Sequence, residues 1–190
     1  MNDKPESPVR LFTGIALNDS ARDHVVGIVK RLSGELPGVR WVPEENLHVT
    51  LKFLGQCDPS IVDELSLMLR EAARFLPLRL EIGCVGAFPS TGSARVLWVG
   101  AGDQEGRARE VYRALDKAAV KHGIAREKRR YTPHVTVGRS RKKPVSIPVE
   151  FVERFRDTVT LDVNHIVLFR SEPGSTDAEY TVVEKMPPLR

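Results

Sequence analysis

The tripeptide His-Val-Thr occurs twice, at His48-Val49-Thr50 and His134-Val135-Thr136, each inside a segment patterned as a strand. With five His, 23 Val and nine Thr in 190 residues, two such matches have a chance probability of about 0.0003 on residue counts alone. The repetition reads as an internal duplication. It requires two comparable strands, 86 residues apart, each with one polar and one apolar face. Along a strand successive side chains alternate, so His and Thr at i and i+2 share a face about 6.5–7 Å apart. The intervening valine points the other way, into a core, while the imidazole and hydroxyl look into water or a cleft.

The flanking patterns supply the rest of each half. Val9–Leu17 reads as a strand that ends at the helix-capping run Asn18-Asp19-Ser20. Val25, Val29, Leu32 and Leu36 then recur at helical spacing up to Pro37-Gly38. Trp41-Val42 reads as a short strand, and His48–Leu54 as the first motif strand. On strict alternation Val49, Leu51 and Phe53 face the core, and His48, Thr50 and Lys52 face the cleft. Asp58-Pro59 opens a second helix with the stripe Ile61, Leu65, Met68, Ala72 and Phe75. Leu78–Val85 and Ala94–Val99 read as strands, Gln104–His122 as a third helix stopped by Gly123, and Thr132–Arg139 as the second motif strand. Val159–Arg170 and Glu179–Lys185 close the chain as two more strands. No Gly/Ser/Pro linker separates the halves. The expected fold is therefore α+β: residues 9–190 form one domain of two intertwined, pseudo-symmetric lobes, antiparallel-rich sheet with outer helices around a central cleft, preceded by a flexible tail at 1–8.

Composition narrows the class of partner. No apolar run approaches the ~20 residues of a membrane span, and the polar N-terminus has no signal-like core, so a cytoplasmic protein with no membrane partner is expected. Cys57 and Cys84 are too few and too distant for a disulfide framework or a CxxC metal site and read as reduced thiols. The net charge of +4 is concentrated: Arg126–Lys143 carries +7, which leaves the remainder at −3. A basic block beside a pair of histidines points to a phosphate-bearing partner.

Two imidazoles facing one cleft suit a reaction that takes a proton in one place and gives it in another near neutral pH. The threonine hydroxyls can donate to an anion between them. A metal site would want three or four His, Cys, Asp or Glu ligands, which neither motif supplies, so no metal and no cofactor are expected. His24, His122 and His165 have no following Thr and read as structural or surface residues. Lys52, Arg130, Tyr131 and Arg139 are secondary candidates for substrate contact. Arg139 alternates to the face opposite His134 unless Gly138 lets the strand turn.

At these residues the chain resembles the two-histidine (2H) phosphoesterase superfamily, named for two His-x-Thr-x motifs on pseudo-twofold-related lobes. Here the motifs are His48, Val49, Thr50, Leu51 and His134, Val135, Thr136, Val137. Within that superfamily it looks like the bacterial and archaeal RNA 2′,3′-cyclic phosphodiesterases, also described as 2′-5′ RNA ligases. The likeness runs through Val9–Leu17, Trp41-Val42 with Asn46–Gly55, and Thr132–Arg139. One departure is Gly138, where members often carry Ala. The resemblance implies metal-independent hydrolysis of RNA 2′,3′-cyclic phosphate ends to a 2′-phosphomonoester, tRNA fragments among the substrates, by a monomer. It also implies His48 as proton donor, His134 as acceptor, and Thr50 and Thr136 as phosphate-binding residues. The spacing alone does not decide which histidine is acid and which is base. Two other readings stay open: 2′-5′ ligation of tRNA halves at the same site, and a non-catalytic RNA-binding protein built on the basic block.

Overall fold

The computed structural model describes residues 7–174 and 177–189; residues 1–6 of the expected tail lie outside the described residues. The strands are β1 (Val9–Ala16), β2 (Val39–Trp41), β3 (His48–Cys57), β4 (Leu78–Phe88), β5 (Val96–Gly102), β6 (His134–Ser140), β7 (Thr158–Val163), β8 (Ile166–Pro173) and β9 (Ala178–Met186). The helices are α1 (Asp19–Ser33), α2 (Val62–Ala73), α3 (Arg107–Lys121) and α4 (Val149–Arg154). Their starts follow from local chemistry. Asn18 caps α1 by accepting from the Ala21 amide at 2.9 Å. At α3 the chain turns through Gly106, whose φ of 74° suits glycine. The Asp103 carboxylate then accepts from the Ala108 and Arg109 amides, so this helix begins at Arg107 rather than at Gln104.

All nine strands join one antiparallel sheet in the order β7-β4-β5-β6-β3-β1-β8-β9, with β2 also on β6. The sheet is two four-stranded lobes, β7-β4-β5-β6 and β3-β1-β8-β9, meeting where β3 pairs with β6 at a single position, Val49 opposite Val135. The centres of the two His-Val-Thr motifs are thus the seam of the molecule. Both valines are fully buried in a core shared with Val25, Leu65 and Leu115 of the helices. Helices and core back one face of the sheet; the histidines stand on the other.

Sequence alternation reads Val159–Arg170 as one strand, and the structure corrects this. The chain breaks at Asn164-His165, and the two pieces pair in different lobes, β7 on β4 and β8 on β1. A two-residue link bridges at most about 11 Å, so strands first and seventh in the order approach each other and the sheet is strongly curled. The helix α4 is a further element not read from the sequence. No described helix is long and apolar enough to cross a membrane.

Candidate active site

The seam places the four motif side chains. Carried one residue outward from the Val49–Val135 pair, the antiparallel register sets His48 across from Thr136 and Thr50 across from His134. Each imidazole is held the same way. His48 Nδ1 lies 2.7 Å from the Asn46 carbonyl and His134 Nδ1 2.7 Å from the Thr132 carbonyl. A carbonyl only accepts, so in both rings Nδ1 carries the proton and Nε2 is left for chemistry. In this tautomer the Thr50 hydroxyl donates to His48 Nε2 across 3.0 Å.

Burial lowers the pKa of both rings below 6.5, partly offset by those backbone hydrogen bonds. The charge of His134 further disfavours protonation of His48, and Arg139 does the same to His134. Among the described residues, no group of three or more His, Cys, Asp or Glu comes together as a metal site.

Two equivalent β-bulges shape the cleft. Pairing of β1 with β3 skips Leu51, since Thr13 pairs with Lys52 and Gly14 with Thr50. Pairing of β5 with β6 skips Val137, since Leu97 pairs with Gly138 and Trp98 with Thr136. An extra residue reverses the alternation beyond it. Leu51 and Lys52 are consequently both buried, whereas Phe53 turns to the histidine face and is 57% exposed. In the other lobe Val137 and Gly138 are buried and Arg139 is exposed. The residue five beyond each motif histidine is thus Phe53 on one side and Arg139 on the other.

These bulges correct two sequence-based expectations. Phe53 leaves the core and faces the cleft. Lys52 leaves the histidine face: its side chain is 5% exposed, its Nζ lies 2.9 Å from the Asp116 carboxylate of α3 and it donates to the Ala125 carbonyl at 2.8 Å. A third correction concerns Tyr131. It stacks on Tyr112 with centroids 4.3 Å apart and donates to the Thr50 carbonyl at 3.2 Å, so it braces the first motif from beneath. Burial pushes its hydroxyl pKa up, which keeps it a donor. Arg130 is exposed on the approach to β6.

The walls of the cleft are aromatic and were not read from the sequence. His48 packs against Phe12 at 4.9 Å, Tyr180 at 5.4 Å and Phe169 at 5.8 Å. His134 meets Phe88 edge-on at 5.2 Å and Trp98 at 6.1 Å. The only sequence signal was their period-2 placement, which core strands share. Gly14 permits the close approach at His48: a Cβ there would lie 2.9 Å from the Val49 carbonyl and 3.4 Å from His48 Cδ2. At Gly138 a Cβ would lie 2.7 Å from Val39 Cγ1, which accounts for glycine where the resembled family often has alanine.

The chain is similar to known proteins in sequence and in fold. Residues 19–175 match the model of the 2′-5′ RNA ligase superfamily. An Archaeoglobus fulgidus protein named RNA 2′,3′-cyclic phosphodiesterase is 38% identical over 135 residues, 71% of this chain and 74% of its own. Its Methanocaldococcus jannaschii namesake is 26% identical over 183 residues, 93% of this chain and 99% of its own. The solved structure of TT0787 from Thermus thermophilus has the same fold, with a TM-score of 0.79 at 24% identity over 94% of this chain and 97% of that one.

Proposed function

This chain belongs to the 2′-5′ RNA ligase superfamily, and we propose that it hydrolyses RNA 2′,3′-cyclic phosphate ends, tRNA fragments among them, to 2′-phosphomonoesters without a metal. The observation that carries this reading is the seam itself. One backbone pair holds two imidazole–hydroxyl pairs on one face, each with Nδ1 tied to a carbonyl, which leaves Nε2 for chemistry.

In the proposed step, a cyclic phosphate sits between Thr50 and Thr136, whose hydroxyls donate to its non-bridging oxygens. His134 Nε2 removes a proton from water as the water oxygen attacks phosphorus. The bond from phosphorus to the ribose 3′ oxygen breaks, and His48, charged as the imidazolium with Nε2 protonated, gives that proton to the oxygen. One proton enters the pair and one leaves, so charge and atoms balance. Environment supports the direction. His48 is enclosed by Phe12, Phe169 and Tyr180, which disfavours its charged form and so favours release of the proton once the ring is charged. His134 is the more open of the two, as a base that recruits water must be.

The test uses an oligonucleotide with a 2′,3′-cyclic phosphate end, in the presence of EDTA. Wild type is expected to release a 2′-phosphate, and His48→Ala and His134→Ala to lose at least about a thousandfold each. Loss of activity on chelation, or full activity in either variant, would refute the reading.

A further inference from the structure

Among the described residues three polar or charged side chains are buried: Thr13, Asn46 and Lys52. A buried polar group costs free energy unless it is bonded, and all three bond around β3. Thr13 Oγ1 accepts from the Lys52 amide at the bulge, across 3.1 Å, and Lys52 meets Asp116. Asn46 reaches further. Its side-chain amide donates at 2.7 Å to the carbonyl of Ala178, 132 residues along the chain. Its backbone carbonyl is the one that accepts from His48 Nδ1, also at 2.7 Å. One residue therefore holds the ring with its main chain and the far side of the lobe with its side chain.

In a flat sheet that far side would be remote. β9 is the third strand over in the order β3-β1-β8-β9, which at ordinary strand spacing is about 14 Å away. The first lobe curls over instead, and the first three residues of β9 close on the motif. Ala178 takes the Asn46 amide, and the Tyr180 ring meets the His48 imidazole edge-on at 5.4 Å. Ala178 lies opposite Pro173 on β8, and a proline has no N–H to offer, which leaves the Ala178 carbonyl to Asn46. Close packing does not join the two sides. A cavity of about 260 Å³ lies between the 3₁₀ turn Glu44–Asn46 and the start of β9, lined by Pro43, Glu45, Asp177, Glu179 and Tyr180 as well as Asn46.

The second motif is held differently. There the carbonyl that accepts from His134 belongs to Thr132, an exposed residue. The two pseudo-symmetric histidines thus have the same backbone acceptor, but only the His48 acceptor is carried by a buried side chain that spans the lobe.

On the footing of the proposed function, we propose that Asn46 is the positioning residue of the acid: its buried amide makes closure of the first lobe and orientation of the His48 ring a single event. With the Asn46–Ala178 bond made, the carbonyl stays aimed at Nδ1, and Nε2 is the nitrogen that carries the transferable proton when the ring is charged. With the bond broken, the turn keeps only its own backbone bonds, Asn46 to the Pro43 carbonyl and Leu47 to the Glu44 carbonyl, and the carbonyl selects Nδ1 less firmly. Donation from Nδ1 also favours the charged ring, so the same tie helps His48 hold its proton against burial.

The experiment substitutes Asn46→Ala and Asn46→Ser in the full chain. Serine keeps a turn-forming side chain but ends one atom short of the amide nitrogen, too short to span to Ala178. On an oligonucleotide with a 2′,3′-cyclic phosphate end, both variants are expected to lose about tenfold to a hundredfold in kcat while KM moves less than about threefold, because the threonines that hold the phosphate are untouched. The alkaline limb of kcat/KM, where His48 loses its proton, is expected to move to lower pH as the bond favouring the charged ring weakens. The other titratable groups around the ring and the cavity stay as they are in both variants: His134 from β6, Tyr180 and Glu179 from β9, Asp177 just before it and Glu45 in the turn. Imidazole nitrogen NMR of the free protein reads the ring itself. Neutral His48 is expected in the Nδ1–H form in wild type and to gain the Nε2–H form in both variants, with His134 unaltered. An unmoved limb together with an unmoved His48 tautomer overturns the inference whatever kcat and Tm do, since general damage to the fold lowers both. If wild type turns over no cyclic phosphate, the phosphodiesterase reading fails instead, and the NMR alone decides the positioning role: an unchanged tautomer overturns it.

Discussion

Replacing Lys52 with methionine removes a cation buried directly behind the first motif. Its Nζ meets the Asp116 carboxylate at 2.9 Å and the Ala125 carbonyl at 2.8 Å, with side-chain exposures of 5% for Lys52 and 14% for Asp116. Asp116 also accepts from the Glu127 amide, so its carboxylate stays in place when its partner goes. Breaking one side of a buried pair costs about 3–5 kcal/mol. The slight exposure of Asp116 and the apolar filling by methionine favour the lower end, about 3 kcal/mol. For a domain of this size that lowers Tm by about 6–12 °C. Adding Asp116→Asn, which keeps the acceptor for Glu127 but removes the stranded charge, is expected to recover about 2 kcal/mol of that loss. The pair also ties β3 to the segment leading into β6, which Tyr131 ties again at Thr50. Urea titration of wild type, both singles and the double gives the coupling energy, and kcat on a cyclic phosphate should fall more than KM rises. A loss under about 1 kcal/mol in Lys52→Met, or simple additivity in the double, would refute the buried-pair account.

Further outcomes follow from the same geometry. Both imidazoles have pKa values lowered from 6.5 by burial, so kcat/KM is expected to peak on the acid side of that value, and a peak well above pH 7 would contradict the burial argument. The bound phosphate stabilises imidazolium, so the kcat profile should lie at higher pH than that of kcat/KM. The sign for stability is the same: above 6.5 both folded and unfolded histidines are neutral, and on acidification the unfolded chain binds protons first. Stability should therefore decline as the pH falls from 6.5 through the folded values, and less steeply in His48→Asn. Gly14→Ala puts a methyl 2.9 Å from the Val49 carbonyl and 3.4 Å from the His48 ring, with an expected cost of about 1–3 kcal/mol and a drop in kcat of at least tenfold. Unchanged kcat would show that His48 does not depend on that close approach.

Much of the architecture was legible because it is local. Capping chemistry and helical stripes marked α1 to α3, and alternation placed His48 and Thr50 together and His134 and Thr136 together. What misled was alternation carried too far. Strict period-2 reading put Lys52 in the cleft and Phe53 in the core, and the bulge at Leu51 exchanged them. The same rule put Arg139 behind the sheet, and the bulge at Val137 brought it to the histidine face. No residue in either stretch announces a bulge, since the extra residue exists only relative to the partner strand. Trp98, Phe88, Phe12, Phe169 and Tyr180 were likewise invisible as cleft walls. They come from five strands that sequence distance does not bring together.

Sequence alone thus determined the reacting groups: two imidazole–hydroxyl pairs, each on one face of a strand, because side-chain alternation is a property of the strand itself. Tertiary structure decided what surrounds them. Pairing across the sheet set the Val49–Val135 seam, the two bulges and the curl that carries Asn164-His165 between lobes. Those features arise between segments far apart in the chain, where register and burial are settled jointly and no single segment contains the information.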